Sequence, residues 1–246
     1  MITLVGLGLI DQKDISLRGI EAIEGADRIF MENYTSRWKG EKGIKDLVKK
    51  EIETVERNEL EEGSDKILSM AKEGNVVVLI PGDPLVATTH VELLIHAKKM
   101  GIQTEVVHSS SIYSAVAETG LQIYKFGKTT TIPIPQKNYR PVSPYEVIDE
   151  NKEKGLHTLA LLDIKERAME VEEALRYLLE IEDEKEEDVV TREEKVVAFN
   201  IGPEGSTTAY KKIRNLLEED FPTPAVLIFT GSLHEKEKEA LEMFSI

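Results

Sequence analysis

The sequence predicts an α/β fold, with two α/β domains and mostly parallel sheets. Three observations carry that reading. Short apolar, β-branched runs recur at 2–5, 76–80, 104–107, 157–163, 195–201 and 224–230. Apolar residues at helical spacing separate many of them. Most runs close on a Gly-bearing or acidic loop, at 6–11, 81–83, 163, 202–205 and 231–234. Strands alternating with helices imply parallel crossovers, whose loops gather on one sheet edge.

Ile2-Thr3-Leu4-Val5 reads as a strand from the first residues, followed by the loop Gly6-Leu7-Gly8-Leu9-Ile10-Asp11. Ser16 is placed to N-cap a helix with Leu17, Ile20 and Ile23 on one face and Gly25 at its end. A strand over 28–31 closes at Glu32-Asn33. The segment 33–43, with Tyr34, Thr35, Ser36 and the single tryptophan Trp38, reads as a loop. A short helix near 43–50, a strand at 52–55 and a helix from Ser64 to Glu73 follow.

The stretch 74–94 organises what surrounds it. Val76-Val77-Val78-Leu79-Ile80 is a run suited to a central strand buried on both faces, closed by Pro81-Gly82. Gly82-Asp83-Pro84 must turn sharply, because Pro84 fixes its own φ and biases Asp83 towards extended backbone. From about Val86, the apolar residues Val91, Leu94 and Ile95 take up helical spacing until Gly101. A buried strand therefore runs through a tight loop bearing one carboxylate into a helix N-terminus. In open α/β sheets that carboxyl edge is where small ligands bind.

A strand at 104–107 leads to His108-Ser109-Ser110-Ser111 and a helix from Ile112 that Gly120 ends. The segment 121–128 reads as a boundary, giving domains 1–122 and 123–246. Beyond it the pattern restarts. A strand at 129–133, a Pro-rich loop, a helix at about 144–154, a strand at 157–163 and a helix at about 166–180 come first. The run 180–188 reads as a solvated charged link. A strand at 195–201, a loop at Gly202–Ser206, a helix to about 218, a strand at 224–230 and Gly231-Ser232-Leu233-His234 complete the chain. Facing loop sets would line a cleft between the two halves.

Composition bounds the function. The chain has 246 residues, 41% of them hydrophobic, and no apolar run long enough for a membrane span. The expectation is a cytoplasmic protein with no membrane association and no export signal. No cysteine is present, which excludes disulfides and thiolate metal sites. Charged residues make up 31%, a share that suits surface ion-pair networks. A net charge of −15 excludes a general nucleic-acid binder, since phosphate binding needs a basic surface.

Gly6-Leu7-Gly8 after the first strand suggests a dinucleotide fingerprint, but Asp11 stands where the third glycine belongs. A small-ligand loop of another kind and a plain turn are the remaining readings. Asp83 is either a turn residue accepting backbone N–H bonds or a ligand group. Ser109-Ser110-Ser111 is a helix cap, an anion seat, or both. The five histidines form no metal set, and His90 and His96 lie roughly 240° apart around a helix. Of the five, His234, after Gly231 at a strand end, is the one expected in a cleft. No Gly-x-Ser-x-Gly elbow or P-loop occurs. No spacing marks out a catalytic base.

The blocks GLGLID, DIS and GIEAI at 6–23, MENYTS at 31–36, PGDPLVATTH at 81–90, HSSSIYSAVAETGLQIYKFGK at 108–128 and GLHTLALLDIK at 155–165 together carry a resemblance. They resemble the diphthine synthases, in their archaeal form, a group of S-adenosylmethionine-dependent methyltransferases with the tetrapyrrole-methylase fold. The resemblance implies a cofactor cleft between two α/β domains, usually in a homodimer. It implies cofactor contacts at Leu9, Asp83, Val86, Ser111, Ile112, Leu162, Glu204 and His234, the Glu204 contact through the backbone. It implies methyl transfer to the amino group of a 3-amino-3-carboxypropyl-histidine of translation elongation factor 2, three times over, with S-adenosylhomocysteine as the spent donor. Tyr34 and Tyr124 are candidate faces for the growing cation. A tetrapyrrole methylase of the same fold and a non-catalytic binding scaffold are the competing readings.

Overall fold

A computed structural model describes the chain except for residues 33, 35–37, 138 and 246. Asn33, Thr35 and Ser36, expected in a loop, therefore lie outside the described residues. The chain divides into two compact units, Met1–Ala115 and Val116–Ile246, against the boundary expected after residue 122.

The first unit is built on strands β1 (Ile2–Gly6), β2 (Arg28–Glu32), β3 (Glu53–Val55), β4 (Val76–Ile80) and β5 (Thr104–Val107). They form one all-parallel sheet in the order β3-β2-β4-β1-β5. Its helices are α1 (Leu17–Glu24), α2 (Glu41–Val48), the one-turn α3 (Arg57–Leu60), α4 (Asp65–Glu73), α5 (Val91–Lys99) and α6 (Ile112–Ala115). Every residue of β1 and β4 is buried, as strands covered by helices on both sheet faces must be. Two apolar clusters fill the unit. One contains Leu4, Val78, Ile80 and Leu93, and the other Val5, Ile23, Val77 and Leu79.

Ser16 caps α1 as expected, its Oγ accepting the Gly19 N–H at 3.0 Å. Leu17 does not pack, being 83% exposed while Ile23 is fully buried. Those residues lie six apart, too far round a helix for one narrow stripe. The α5 face also differs from expectation. Leu93 and Ala97 are buried, whereas Val91 and Ile95 stand exposed. The helix begins at Val91 and not near Val86, because Ala87 adopts a left-handed backbone with φ of 56°.

The second unit contains β6 (Thr130–Ile132), β7 (Thr158–Leu162), β8 (Lys195–Gly202), β9 (Gly205–Lys212) and β10 (Ala225–Phe229). Its helices are α7 (Ser143–Glu153), α8 (Val171–Lys185), the one-turn α9 (Ile213–Leu216) and α10 (Glu235–Glu242). Here the expectation of a mostly parallel sheet fails. The order is β6-β7-β10-β8-β9, and only β6 and β7 run parallel. The cause is local: Gly202 pairs with Gly205 across Pro203-Glu204, so the segment expected as a helix returns as a hairpin strand.

The charged run 180–188 is not a free link either. It continues α8 to Lys185 with Ile181 in the core. Glu182 accepts hydrogen bonds from the Tyr145 hydroxyl at 2.9 Å and from the Asp188 and Val190 N–H groups at 2.7 Å each. A C-terminal helix, α10, stands where none was expected. No described helix is long and apolar enough to cross a membrane.

Candidate functional site

In the first unit, β4, β1 and β5 are neighbours, so the loops leaving their carboxyl ends lie side by side. Gly6 ends β1. A Cβ there would lie 2.7 Å from the Gly82 carbonyl, 2.7 Å from Ser109 Cβ and 3.0 Å from Pro84 Cδ. A glycine is therefore what lets the loops after β1, β4 and β5 meet. Gly8 and Gly82, both left-handed, exchange backbone hydrogen bonds of 3.2 and 2.8 Å. The space a Gly82 side chain would enter is open, which leaves a bare backbone ledge beside the convergence.

Asp14 shapes the first loop: its Oδ2 accepts the Leu9 and Ile10 N–H groups at 3.1 and 2.7 Å. Leu9 is thereby held in a turned backbone, half buried. Asp83, 6% exposed, combines the two roles left open for it. Its Oδ1 accepts the Leu85 N–H at 3.0 Å and closes its own turn. Its Oδ2 accepts the Ser109 N–H at 3.1 Å and His108 Nδ1–H at 2.8 Å, tying the β4 loop to the β5 loop. Val86 is half buried, its N–H donating to the Asp83 carbonyl at 3.3 Å.

Ser111 is buried and Ile112 half buried. The expected capping is reversed, since the Ser111 N–H donates to Ser114 Oγ at 3.1 Å. The helix that follows has four residues, too few for the anion seat considered from sequence. Leu9, Asp83, Val86, Ser111 and Ile112 thus share one sheet edge.

His90 is a satisfied core residue. Its Nδ1–H donates to the Pro84 carbonyl at 3.0 Å, and Nε2 lies 3.2 Å from the Tyr34 hydroxyl. Burial first, then Glu32 and Glu61, push the Tyr34 hydroxyl pKa up. The Arg57 guanidinium already sits 6.0 Å from the Tyr34 ring, so that ring is an occupied cation face. Tyr124 stands exposed.

In the second unit the expected site residues part company. Leu162 ends β7 with its side chain in the core, and Asp163 accepts the Ile134 and Lys165 N–H groups at 3.1 and 2.9 Å. Glu204 is exposed at the tip of the β8–β9 hairpin, beyond the same sheet edge. His234 is not at that edge. β10 runs antiparallel to β7, so the loop it enters leaves by the opposite edge, where the Ser232 N–H meets the Gly155 carbonyl at 3.1 Å. The His234 side chain is exposed, and its Nδ1 accepts the Lys236 N–H at 3.2 Å as the α10 cap. What the register brings beside the Leu162 end of the sheet is Asn200 paired with Ala225. That pairing follows from β10 running antiparallel to β8, against the parallel direction expected.

Two buried carboxylate arrangements are not visible in the sequence. One is the His108–Asp83 pair, whose partners lie 25 residues apart. The other is a buried cluster in the second unit, where Glu237 accepts from His157 Nε2–H at 3.0 Å, the Gln122 N–H at 2.9 Å and the His234 N–H at 2.7 Å. Lys125 completes it with a charged contact to the same carboxylate.

The tetrapyrrole (corrin/porphyrin) methylase model matches residues 1–202. The chain belongs to the tetrapyrrole methylase family. Within that family it is similar to a diphthine synthase of Methanococcus aeolicus, 43% identical over 98% of this chain and 97% of the relative. A diphthine synthase of Methanocaldococcus jannaschii is 42% identical over 98% of each chain. A crystal structure of diphthine synthase superposes with a TM-score of 0.90 at 34% identity, covering 99% of this chain and 95% of the other. A solved structure from Entamoeba histolytica gives 0.91 at 33% identity, covering 100% and 98%. As a tetrapyrrole methylase family member grouping with the diphthine synthases, the chain is a methyltransferase with two α/β domains, one sheet parallel and one mixed.

Proposed function

We propose that this chain uses S-adenosylmethionine to methylate the amino group of the 3-amino-3-carboxypropyl-histidine of elongation factor 2, adding three methyl groups. The observation that carries the reading is full-length similarity, at 42–43% identity, to relatives named diphthine synthase. The same similarity favours it over a tetrapyrrole substrate and over a passive scaffold.

The first-unit edge fits the donor. The open ledge at Gly82 admits close approach, and the Asp83 turn and the backbone around Leu9 and Val86 supply polar groups at fixed places. Ser111 and Ile112 close the neighbouring loop. These five residues would hold the donor. Leu162 is the second unit's first candidate, with Glu204 and His234 resting on resemblance alone. Bound, the donor supplies a methyl group already activated on a sulfonium.

What the protein adds is position. Holding an amine at attack distance supplies roughly 7–11 kcal/mol of the barrier. A homodimer in the cytoplasm is part of the same reading.

The test is transfer of labelled methyl from S-adenosylmethionine to elongation factor 2 carrying the amino-carboxypropyl group. Label on the factor supports the reading. No label, with donor binding intact by calorimetry, refutes the acceptor, and absent donor binding refutes the methyl source.

A further inference from the structure

An aliphatic amine is mostly protonated at neutral pH and has no lone pair to give until a proton leaves. Each of the proposed transfers therefore needs a proton acceptor near the donor loops. On the reading above, we propose that His108 Nε2 is that acceptor and that Asp83 holds it in the working tautomer.

The geometry carries the assignment. Asp83 is buried and its carboxylate can only accept, so His108 Nδ1 bears the proton across their 2.8 Å contact. In the neutral ring the lone pair then sits on Nε2. The His108 side chain is 68% exposed, and among the described residues nothing is bonded to that nitrogen. A buried carboxylate fixing an imidazole whose far nitrogen faces outward is how a general base is oriented.

A merely structural tie would not need the ring. The Ser109 N–H already joins the same Asp83 oxygen at 3.1 Å, so the two loops are fastened without the imidazole. Position agrees too. His108 is the first residue after β5, and its neighbour Ser109 meets Gly6 where the three loops converge.

The ammonium N–H passes its proton to His108 Nε2, and the freed nitrogen pair forms the new N–C bond. Sulfur keeps the electron pair of the broken C–S bond and becomes a neutral thioether, while the positive charge moves to nitrogen. The imidazolium faces the Asp83 carboxylate and, being exposed, returns its proton to water before the next turnover. The last transfer leaves a quaternary nitrogen with no proton to remove.

The experiment compares the native chain with His108→Asn in single-turnover transfer to elongation factor 2 across pH, with donor affinity measured by calorimetry. The asparagine amide keeps a donor towards Asp83 but has no basic lone pair. The expected result is donor affinity within about twofold of native and a rate at pH 7 lowered by about 100-fold or more. That loss should shrink as alkaline buffer deprotonates the amine directly. A variant rate within about threefold of native at pH 7 overturns the proposal. So does a loss that persists undiminished at alkaline pH, or one matched by an equal loss of donor affinity. No transfer by the native chain overturns the underlying reading and the base with it, whereas transfer by the native chain and an unimpaired variant overturns the base alone.

Discussion

His157 Nε2 donates to Glu237 Oε1 at 3.0 Å, with both side chains fully withdrawn from solvent. The other ring nitrogen, Nδ1, accepts the Gly231 N–H at 3.0 Å, so the imidazole is neutral and its tautomer is fixed from both sides. Burial pushes its pKa down from 6.5, against the opposing pull of Glu237. Burial alone would raise the Glu237 carboxyl, but Lys125, the Gln122 and His234 N–H groups and His157 hold it down at about 2.

These shifts set an acid limit on the second unit. The His157 contribution is present above its unfolded value near 6.5 and is lost as pH falls below it, because only the unfolded chain readily takes the proton. The Glu237 contribution is present above 4.5 and is lost as pH falls towards about 2. Denaturant midpoints at pH 7 and pH 5 should therefore differ more in the native chain than in His157→Gln, which cannot charge. Equal differences would remove His157 from the acid response. Glu237→Ala leaves the buried His157 N–H and the partly exposed Lys125 ammonium without that acceptor and should cost about 3–5 kcal/mol by chemical denaturation.

Gly6→Ala tests the convergence of loops. The added methyl would meet backbone at Gly82 and the Ser109 side chain, both at 2.7 Å, and neither is a flexible chain end. Overpacking of this kind costs about 1–3 kcal/mol. Donor affinity should fall with stability, because the β4 and β5 loops are the ones forced apart. Calorimetry showing native affinity would mean the donor does not depend on that approach.

Asp83→Ala removes the acceptor shared by His108 and Ser109 and the closure of its own turn. Loss of charged hydrogen bonds predicts donor binding weaker by about 1.5–3 kcal/mol. An intact fold with unchanged affinity would take Asp83 out of the donor site.

How much of this was legible depends on whether the signal is local. The run Val76–Ile80 and the break at Pro81-Gly82 are decided by neighbouring residues, and the strand and its turn stand where expected. So does the Ser16 cap. Gly-Pro-Glu-Gly suits a loop entering a helix as well as a hairpin turn, so neither the β8–β9 hairpin nor the direction of β10 is legible from neighbouring residues. The His234 loop accordingly leaves by the sheet edge opposite to the one expected. The Asp83–His108 and His157–Glu237 pairs join residues 25 and 80 apart, and no periodicity reports a contact made only by folding.

The proposed homodimer has a direct check. Light scattering at micromolar concentration should give twice the chain mass of 27.7 kDa. A single-chain mass would contradict it.

The proposed acceptor is a folded protein carrying an amine that is methylated to completion. Intact-protein mass spectrometry of elongation factor 2 bearing the amino-carboxypropyl group, after exhaustive reaction with this chain and S-adenosylmethionine, measures it directly. The expected result is the added mass of three methyl groups, all on the modified histidine. A factor that stops at one methyl contradicts the trimethylation, and one that gains none while the donor binds contradicts the substrate.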